Sequence, residues 1–233
     1  MKNPIIVALD VPEADRALEL VEQLTGAVGA FKIGKELFVS AGPEIVRRVR
    51  KLGAPVFLDL KFHDIPNTVA KAVEAAVHLD VQMLTIHASG GRQMMQAAEK
   101  AAQETSARLG RPAPLVLGVT VLTSLDAPQI AEVGLTPDVP AQVSRLAQLA
   151  AASGLRGLVC SPLEIGLLRP LIPSTMALVT PGIRPASAAL GDQKRVMTPK
   201  DALAAGATWM VIGRPIYEAR NPRAAAEEIL ASL

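Results

Sequence analysis

The sequence is poor in aromatic side chains, which make up 3% of its 233 residues although 50% of the residues are apolar. The core of this chain must therefore be built from Ala, Val, Leu and Ile. Such a core is typical of parallel strands that are covered on both faces by Ala-rich helices. Basic residues are not clustered with aromatics, and 24 Lys and Arg stand against 22 Asp and Glu. This composition argues against a nucleic-acid partner.

Cysteine and long apolar runs are scarce as well. Cys160 is the single cysteine, which excludes an internal disulfide, and we expect its side chain to fill core volume. No apolar run approaches the length of a membrane span. The first residues, MKNPIIVALD, lead into a strand without the apolar region of a secretion signal. We therefore expect a cytoplasmic protein without membrane contact.

What the sequence does contain is a regular alternation of short apolar runs and Ala-rich segments with helical spacing. Such alternation predicts βαβ units and a parallel sheet. Eight strands in this chain give about 29 residues per unit, which is typical of a closed (β/α)8 TIM barrel. We expect a single α/β domain over residues 1–233. The predicted strands are 5–10, 30–34, 56–61, 83–88, 115–120, 157–161, 177–183 and 209–213, and the predicted helices include 14–24, 67–79, 91–104 and 143–154.

The main alternative fold is an open doubly wound sheet. Such a sheet normally carries a Gly-rich phosphate loop after its first strand. Here the first strand is followed by DVPEAD, which has no glycine. The sequence therefore favours the barrel, and we predict that the Pro-containing stretch 134–140 is a loop inside one βα unit.

Charged residues stand at the ends of several predicted strands. The stretch FLDLKFHDIPNTV places Asp59 and Lys61 two positions apart in a strand, so their side chains share one face. In a barrel the carboxyl ends of the strands form the active site. Asp10 ends the first predicted strand, and Lys32 lies near the end of the second. A purely structural ion pair is the alternative, but buried pairs stabilise a fold weakly compared with apolar residues. We expect an alternating charge network at the barrel mouth.

Asp64 has two interpretations on spacing alone. Because Ile65 and Pro66 follow it at the start of a helix, it is either an N-cap or a part of the site. His63 and His87, with acids nearby, raise the alternative of a metal site. Carboxylates that are neutralised by two lysines are poor metal ligands, so we expect no metal and treat the histidines as structural.

The loops after the last two predicted strands read TPGIRP (180–185) and IGRPI (212–216). In barrels of this kind these two loops usually hold a phosphate group. Gly213 lets backbone N–H groups approach an anion, a following helix N-terminus adds positive dipole, and Arg214 can bind two oxygens. The alternative is a pair of tight turns with solvated arginines. Two loops that each carry Gly and Arg favour a phosphate monoester.

Together these segments resemble the orotidine 5′-phosphate decarboxylase family from IIVALD to the last helix. DLKFHDIPNTV carries the family's D-x-K-x-x-D signature, and VTVLTS (119–124), TPGIRP, GDQKRVMTP (191–199) and IGRP follow in the family's order. The signature alone is shared with metal-using relatives such as 3-hexulose-6-phosphate synthase, which is the nearest alternative. A barrel that binds nucleotides without catalysis is an alternative of another class.

The resemblance implies that orotidine 5′-phosphate loses CO₂ to give UMP, the last step of de novo UMP synthesis, without metal, cofactor or covalent intermediate. By position, it implies that Lys61 donates a proton to C6 and that Asp59 lies beside the substrate carboxylate. Lys32 would complete the charge network and, with Asp10, hold the ribose hydroxyls.

The resemblance also assigns the remaining contacts and the assembly. It implies a homodimer in which Asp64 and Thr68 are supplied to the neighbouring subunit's site. It places Thr123 at the pyrimidine region of the substrate. The residues that it places at the phosphate are Arg184, Gln193, Gly213 and Arg214.

Overall fold

The structure, a computed structural model, describes residues 3–185 and 196–233. Its strands are all parallel and close into a barrel in chain order, because each strand pairs with the next and the last pairs with the first. The predicted (β/α)8 TIM barrel is therefore confirmed. The strands are β1 (Ile5–Ala8), β2 (Ala30–Gly34), β3 (Val56–Phe62), β4 (Met83–His87), β5 (Leu115–Val119), β6 (Gly157–Val159), β7 (Ala177–Thr180) and β8 (Trp209–Ile212).

Helices surround the barrel and connect its strands. They bury one apolar stripe against the sheet; the first, for example, buries Ala17, Leu20, Val21 and Leu24, which follow helical spacing. The helices are α1 (Ala14–Leu24), α2 (Lys35–Ala41), α3 (Glu44–Lys51), α4 (Pro66–His78), α5 (Gly91–Arg108), α6 (Ala127–Glu132), α7 (Val139–Ala152), α8 (Ile165–Leu168), α9 (Pro199–Ala205), α10 (Arg214–Tyr217) and α11 (Pro222–Ala231).

Several predicted boundaries differ from the observed ones. β1 and β7 end at Ala8 and Thr180, earlier than predicted, because the residues beyond them leave the sheet and form rim loops. The predicted loop 134–140 is wrong at its end, since α7 already begins at Val139. The Asp138 carboxylate accepts a hydrogen bond from the Ala141 N–H at 3.0 Å and so caps this helix.

A small apolar core fills the inside of the barrel. Because side chains alternate along a strand, the residues two and four positions after an inner core residue also point inward, closer to the carboxyl end. On β1 and just beyond its end, the inward-facing residues that follow Ile6 are Ala8 and Asp10. The inner core therefore forms an apolar floor beneath a polar rim. Its buried members are Ile6, Ala30, Phe57, Met83, Leu117 and Val179.

Trp209, the single tryptophan of the chain, lies at the start of β8 and packs against this inner core. Its ring also fits closely against the residues before β2, since a Cβ atom on Gly29 would lie 2.8 Å from its Cζ3 atom. β8 is the strand that closes the barrel on β1, where Met210 pairs with Ile5. None of the helices within residues 3–185 and 196–233 combines the length and the apolar character that a membrane crossing requires.

Candidate active site

A cavity of about 510 Å³ opens at the carboxyl ends of the strands. Its floor is apolar and includes Phe57, Val159 and Val211, and its walls are largely polar. The structure brings together in this cavity most of the residues that the sequence places in the site. These are Asp10, Lys32, Asp59, Lys61, Thr123, Arg184, Gly213 and Arg214.

Two ion pairs stand side by side on the rim of strands β1 to β3. The Lys32 ammonium donates to Asp10 Oδ1 at 2.8 Å. The Lys61 ammonium donates to both oxygens of Asp59, at 2.8 Å to Oδ1 and 2.9 Å to Oδ2. The Asp59 and Lys61 side chains are only 14% and 24% exposed, so water screens this pair weakly. The alternating charge network is thus present, as two acid–base pairs.

Asp59 stays ionised in spite of its burial. Burial by itself would raise the pKa of this carboxyl group. The positive charges of Lys61 and Lys32 and the hydrogen bonds from Lys61 and Thr85 together outweigh that effect, so the pKa lies below its usual range. The carboxylate is therefore a permanent negative charge in the cavity at neutral pH.

Lys61 has an unusual backbone conformation, with φ at 54°. Few residues other than glycine adopt this left-handed region. The pairing of β3 with β4 is irregular at the same place, because the register shifts between Leu58 and Phe62. The Lys61 N–H donates to the Thr85 hydroxyl on β4 at 2.8 Å, and that hydroxyl donates to Asp59 Oδ1 at 2.9 Å.

The opposite wall of the cavity carries two arginines. Arg184 is only 9% exposed, and its buried Nε has no hydrogen-bond partner among the described residues. Burial, followed by the positive charge of Arg214, lowers the pKa of Arg184 from its usual value. A desolvated cation with an unused donor beside a second cation is arranged to receive an anion. Helix α10 is a single turn, so the helix dipole adds less here than the sequence indicates.

Asp64 and Thr68 lie outside the cavity of their own chain, and both are exposed. The Asp64 carboxylate accepts a hydrogen bond from the adjacent Ile65 N–H at 2.7 Å. The residue that begins α4 as its N-cap is Ile65, without a side-chain cap, so the N-cap interpretation of Asp64 is wrong. Gln193, the remaining predicted site residue, lies outside the described residues.

His63 and His87 lie next to each other, with ring centroids 5.3 Å apart and ring planes inclined by 39°. Burial, followed by the electrostatic interactions with His63, Lys61 and Lys35, lowers the pKa of His87, while Asp59 acts in the opposite direction. His87 is therefore neutral at physiological pH. Within the part of the chain that the structure describes, no three His, Cys, Asp or Glu side chains form a group that could hold a metal ion.

Sequence reasoning missed three residues of the site. Thr85 precedes His87 by two positions on the strand next to β3, so strand alternation could have identified it as inward-facing. Tyr217 lines the cavity from α10, and no pattern in the sequence indicates it. Cys160 is buried in the core as predicted, but it also lines the cavity; burial raises the pKa of its thiol well above the usual range, so it is not a nucleophile.

Comparisons with known proteins agree with this geometry. Residues 3–229 match the model of the family described as "Orotidine 5'-phosphate decarboxylase / HUMPS family". The orotidine 5′-phosphate decarboxylase of Opitutus terrae is 54% identical over 233 residues, which cover 100% of this chain and 99% of the relative. The enzyme of that name from Moorella thermoacetica is 52% identical, with coverage of 100% and 92%.

A solved structure gives the same result at the level of the fold. The crystal structure of orotidine 5′-phosphate decarboxylase from Lactobacillus acidophilus superposes with a TM-score of 0.87 at 37% sequence identity, and the match covers 97% of each chain. The match extends over the whole barrel and includes the strands that carry both ion pairs. From the matched family, the two relatives and this superposition it follows that the chain belongs to the orotidine 5′-phosphate decarboxylase / HUMPS family.

Proposed function

We propose that this chain is an enzyme that decarboxylates orotidine 5′-phosphate to UMP and CO₂, the last step of de novo pyrimidine synthesis. The observation that carries the proposal is the placement of a partly buried Asp59–Lys61 pair and two arginines on opposite walls of one cavity. A substrate with a carboxylate at one end and a phosphate at the other matches both walls. The family and the names of the relatives agree with this activity.

Lys61 is the proton donor in this reaction. Loss of CO₂ leaves an electron pair on C6 of the pyrimidine, a ring carbon without an adjacent electron sink. The fixed ammonium group of Lys61 stabilises that charge as it develops, because it is already oriented before the reaction begins. Its proton then forms the new C6–H bond, and Lys61 regains a proton from solvent afterwards.

Asp59 has two roles. It holds the Lys61 ammonium through both carboxylate oxygens and so fixes the position of the proton donor. It also lies where the substrate carboxylate binds, and two negative charges close together raise the energy of the bound ground state relative to the transition state. Both roles need an ionised Asp59, which agrees with its lowered pKa.

The remaining residues bind the parts of the substrate that do not react. Lys32 and Asp10, linked at 2.8 Å, offer one donor and one acceptor for the ribose hydroxyls. Thr123 contacts the pyrimidine region. The phosphate is held by Arg184, Arg214, the backbone of Gly213, and Gln193. Binding energy from the remote phosphate keeps the reacting carbon in register with Lys61.

The site is completed by a second copy of the chain. Asp64 and Thr68 are exposed just after β3 and do not reach their own cavity. Ile65, between them, leaves 68% of its surface exposed, which is unusual for a large apolar side chain beside a catalytic strand. In a homodimer with this face at its interface, Asp64 and Thr68 enter the partner's site and Ile65 is covered. We assign residues 1–233 to one catalytic domain that acts in the cytoplasm, where nucleotides are synthesised.

One assay tests the proposed reaction against the metal-dependent alternative. Orotidine 5′-phosphate loses its characteristic ultraviolet absorbance when it is converted to UMP. We expect full turnover after exhaustive treatment with EDTA, because a lysine and not a metal ion supplies the positive charge at C6. Activity that disappears with EDTA and returns with Mg²⁺ would contradict the proposed mechanism, and absence of turnover in untreated enzyme would contradict the proposed function.

A further inference from the structure

The backbone of Lys61 leaves the regular sheet just where the proton donor is attached. From Leu58 to Phe62, β3 advances four residues while its partners on β4 advance only from Leu84 to Ile86. The extra length is absorbed in part by the left-handed conformation of Lys61, whose φ is 54°. A conformation of this kind is unfavourable for a residue other than glycine and persists only where surrounding contacts hold it in place.

One hydroxyl group supplies such a contact. Thr85 is completely buried on β4 and points into the barrel. Its Oγ1 accepts the hydrogen bond of the Lys61 N–H at 2.8 Å, in place of a backbone carbonyl of the adjacent strand. A partly buried N–H without an acceptor would be unfavourable. The hydroxyl thus compensates for the break in the β3–β4 ladder.

The same hydroxyl also fixes the acid of the pair. A carboxylate can only accept hydrogen bonds, so the proton between Thr85 Oγ1 and Asp59 Oδ1, 2.9 Å apart, belongs to the threonine. Asp59 Oδ1 receives this bond together with one from Lys61 Nζ, and Oδ2 receives a second bond from Lys61 Nζ. With both oxygens engaged, rotation of the carboxylate is opposed from two directions.

We infer that Thr85 is a positioning residue for decarboxylation: through one hydroxyl it holds the Lys61 backbone and the Asp59 carboxylate in the arrangement that directs the ammonium group at the substrate. It does not line the cavity and so acts through these two residues. The inference rests on the proposed function. It adds to that function a residue on β4, a strand that contributes no direct contact in the proposal above.

Three variants test the inference. Thr85→Val keeps the shape of the side chain and removes the hydroxyl, whereas Thr85→Ser keeps the hydroxyl. Ser106→Ala is the control, because Ser106 is a buried residue on α5, away from the cavity, whose hydroxyl has no partner among the described residues. The measurements are kcat, KM and the dependence of kcat on pH for orotidine 5′-phosphate, with the thermal midpoint of each variant as a check on folding.

We expect kcat of Thr85→Val to fall about ten- to a hundredfold, as for the loss of a hydrogen bond to a charged group. KM should change by less than about threefold, since the lost interaction orients the reacting groups rather than the substrate. Thr85→Ser should restore most of kcat, and Ser106→Ala should behave as the wild type. A decrease in kcat of less than about tenfold in Thr85→Val would overturn the inference. An equal decrease in kcat in Thr85→Ser would also overturn it.

The pH profile separates positioning from a general packing defect. The titratable or charged groups that face Asp59 are Lys32 on β2, Lys61 on β3 and His87 on β4. The Thr85 hydrogen bond is one of the interactions that lower the pKa of Asp59. Its removal raises that pKa, so the acid limb of the kcat profile should move to higher pH in Thr85→Val but not in Ser106→Ala. An unmoved acid limb would count against the inference.

Two further outcomes distinguish a failure to fold, or a failure of the proposed function, from a failure of the inference about Thr85. If Thr85→Val does not fold, Thr85→Cys replaces it, because a thiol of similar size is a weak hydrogen-bond donor; its kcat should then lie clearly below that of Thr85→Ser, and equality would overturn the inference. If the wild type itself does not convert orotidine 5′-phosphate, the proposed function fails. Normal turnover in the wild type and in every Thr85 variant overturns only the role of Thr85.

Discussion

Among residues 3–185 and 196–233, Asp59 is the carboxylate that pairs with the Lys61 ammonium, and both side chains are largely shielded from water. The substitution Lys61→Ala removes the proton donor and leaves Asp59 without its closest counter-charge. We expect no detectable conversion of orotidine 5′-phosphate and an intact fold, because the pair lies at the open mouth of the barrel. Circular dichroism and the absorbance assay measure the two effects.

Lys100→Ala is the control for this variant, since Lys100 is exposed on α5 and pairs with Glu104 one turn away. Exposed pairs of this kind contribute about 0–1 kcal/mol. The control should retain wild-type kcat. A kcat of Lys61→Ala close to that of the control would exclude Lys61 as the proton donor.

Arg214 tests the phosphate wall of the cavity. Arg214→Ala should lower kcat/KM for orotidine 5′-phosphate by an amount equivalent to about 1.5–3 kcal/mol or more, as for other lost hydrogen bonds to charged groups. The same substitution should leave the slower reaction of orotidine, which has no phosphate, unchanged. Kinetics on both substrates measure the difference; equal losses would show that Arg214 does not contact the phosphate.

At the scale of the element, the end of β2 depends on a glycine. A Cβ atom added to Gly34 would lie 3.0 Å from Lys32 Nζ and 3.5 Å from Asp10 Oδ1. Gly34 has an ordinary backbone conformation, with φ at −89°, so the substitution adds volume without backbone strain. The strand therefore leaves space for the Lys32–Asp10 ion pair by lacking a side chain at this position.

We expect Gly34→Ala to displace the Lys32 ammonium and to lower kcat/KM about tenfold, equivalent to the loss of one hydrogen bond of about 1.4 kcal/mol. The thermal midpoint should change little, because the displaced group is the end of a flexible side chain. Gly166→Ala on α8 is the control, since a Cβ atom there would meet nothing within 4 Å. Wild-type kinetics in Gly34→Ala would show that the ion pair tolerates the added methyl group.

The sequence predicts the elements better than their ends. The alternation of strands and helices indicates all eight strands, because each needs only a short run of apolar residues. The start of α7 at Val139 was missed although its cap, Asp138, is visible in the sequence. The conformation of Lys61 has no local signal at all, since it depends on a hydroxyl on another strand that is 24 positions away in the chain.

In the candidate site, too, some features can be predicted from the sequence and others cannot. Asp59 and Lys61 can be predicted to meet because strand alternation places them on one face. The position of Tyr217 in the cavity depends on how the single turn α10 is oriented over the end of β8, which no periodicity encodes. The distances between the charged groups and the burial of Asp59 depend on the closed barrel. The lowered pKa of Asp59 therefore cannot be predicted from the sequence.

At the scale of the whole molecule, the proposed homodimer makes a prediction that a monomeric enzyme does not. Lys61→Ala and Asp64→Ala chains are each expected to be inactive as homodimers. A mixed dimer with shared sites contains one site with both lesions and one site with neither. After random exchange of equal amounts, half of the dimers are mixed, so activity should return to about a quarter of the wild-type value.

Native mass spectrometry of chains that differ in mass verifies the exchange in this experiment. If Asp64 acts within its own chain, no mixed dimer contains an intact site and the mixture stays inactive. An inactive mixture with verified exchange would refute the shared site. An active Asp64→Ala homodimer would show that Asp64 is not needed for the reaction.

Trp209 is partly buried and packs against the inner core, which gives the molecule a built-in optical probe. The chain has no other tryptophan, and this one lies on the strand that joins the end of the barrel to its beginning. Its fluorescence therefore reports whether the cylinder is closed, while the cavity at the opposite end of the strands can be filled or emptied with little effect on the signal. Emission that shifts to longer wavelength during denaturation would mark the opening of the β8–β1 seam, independently of any change at the substrate site.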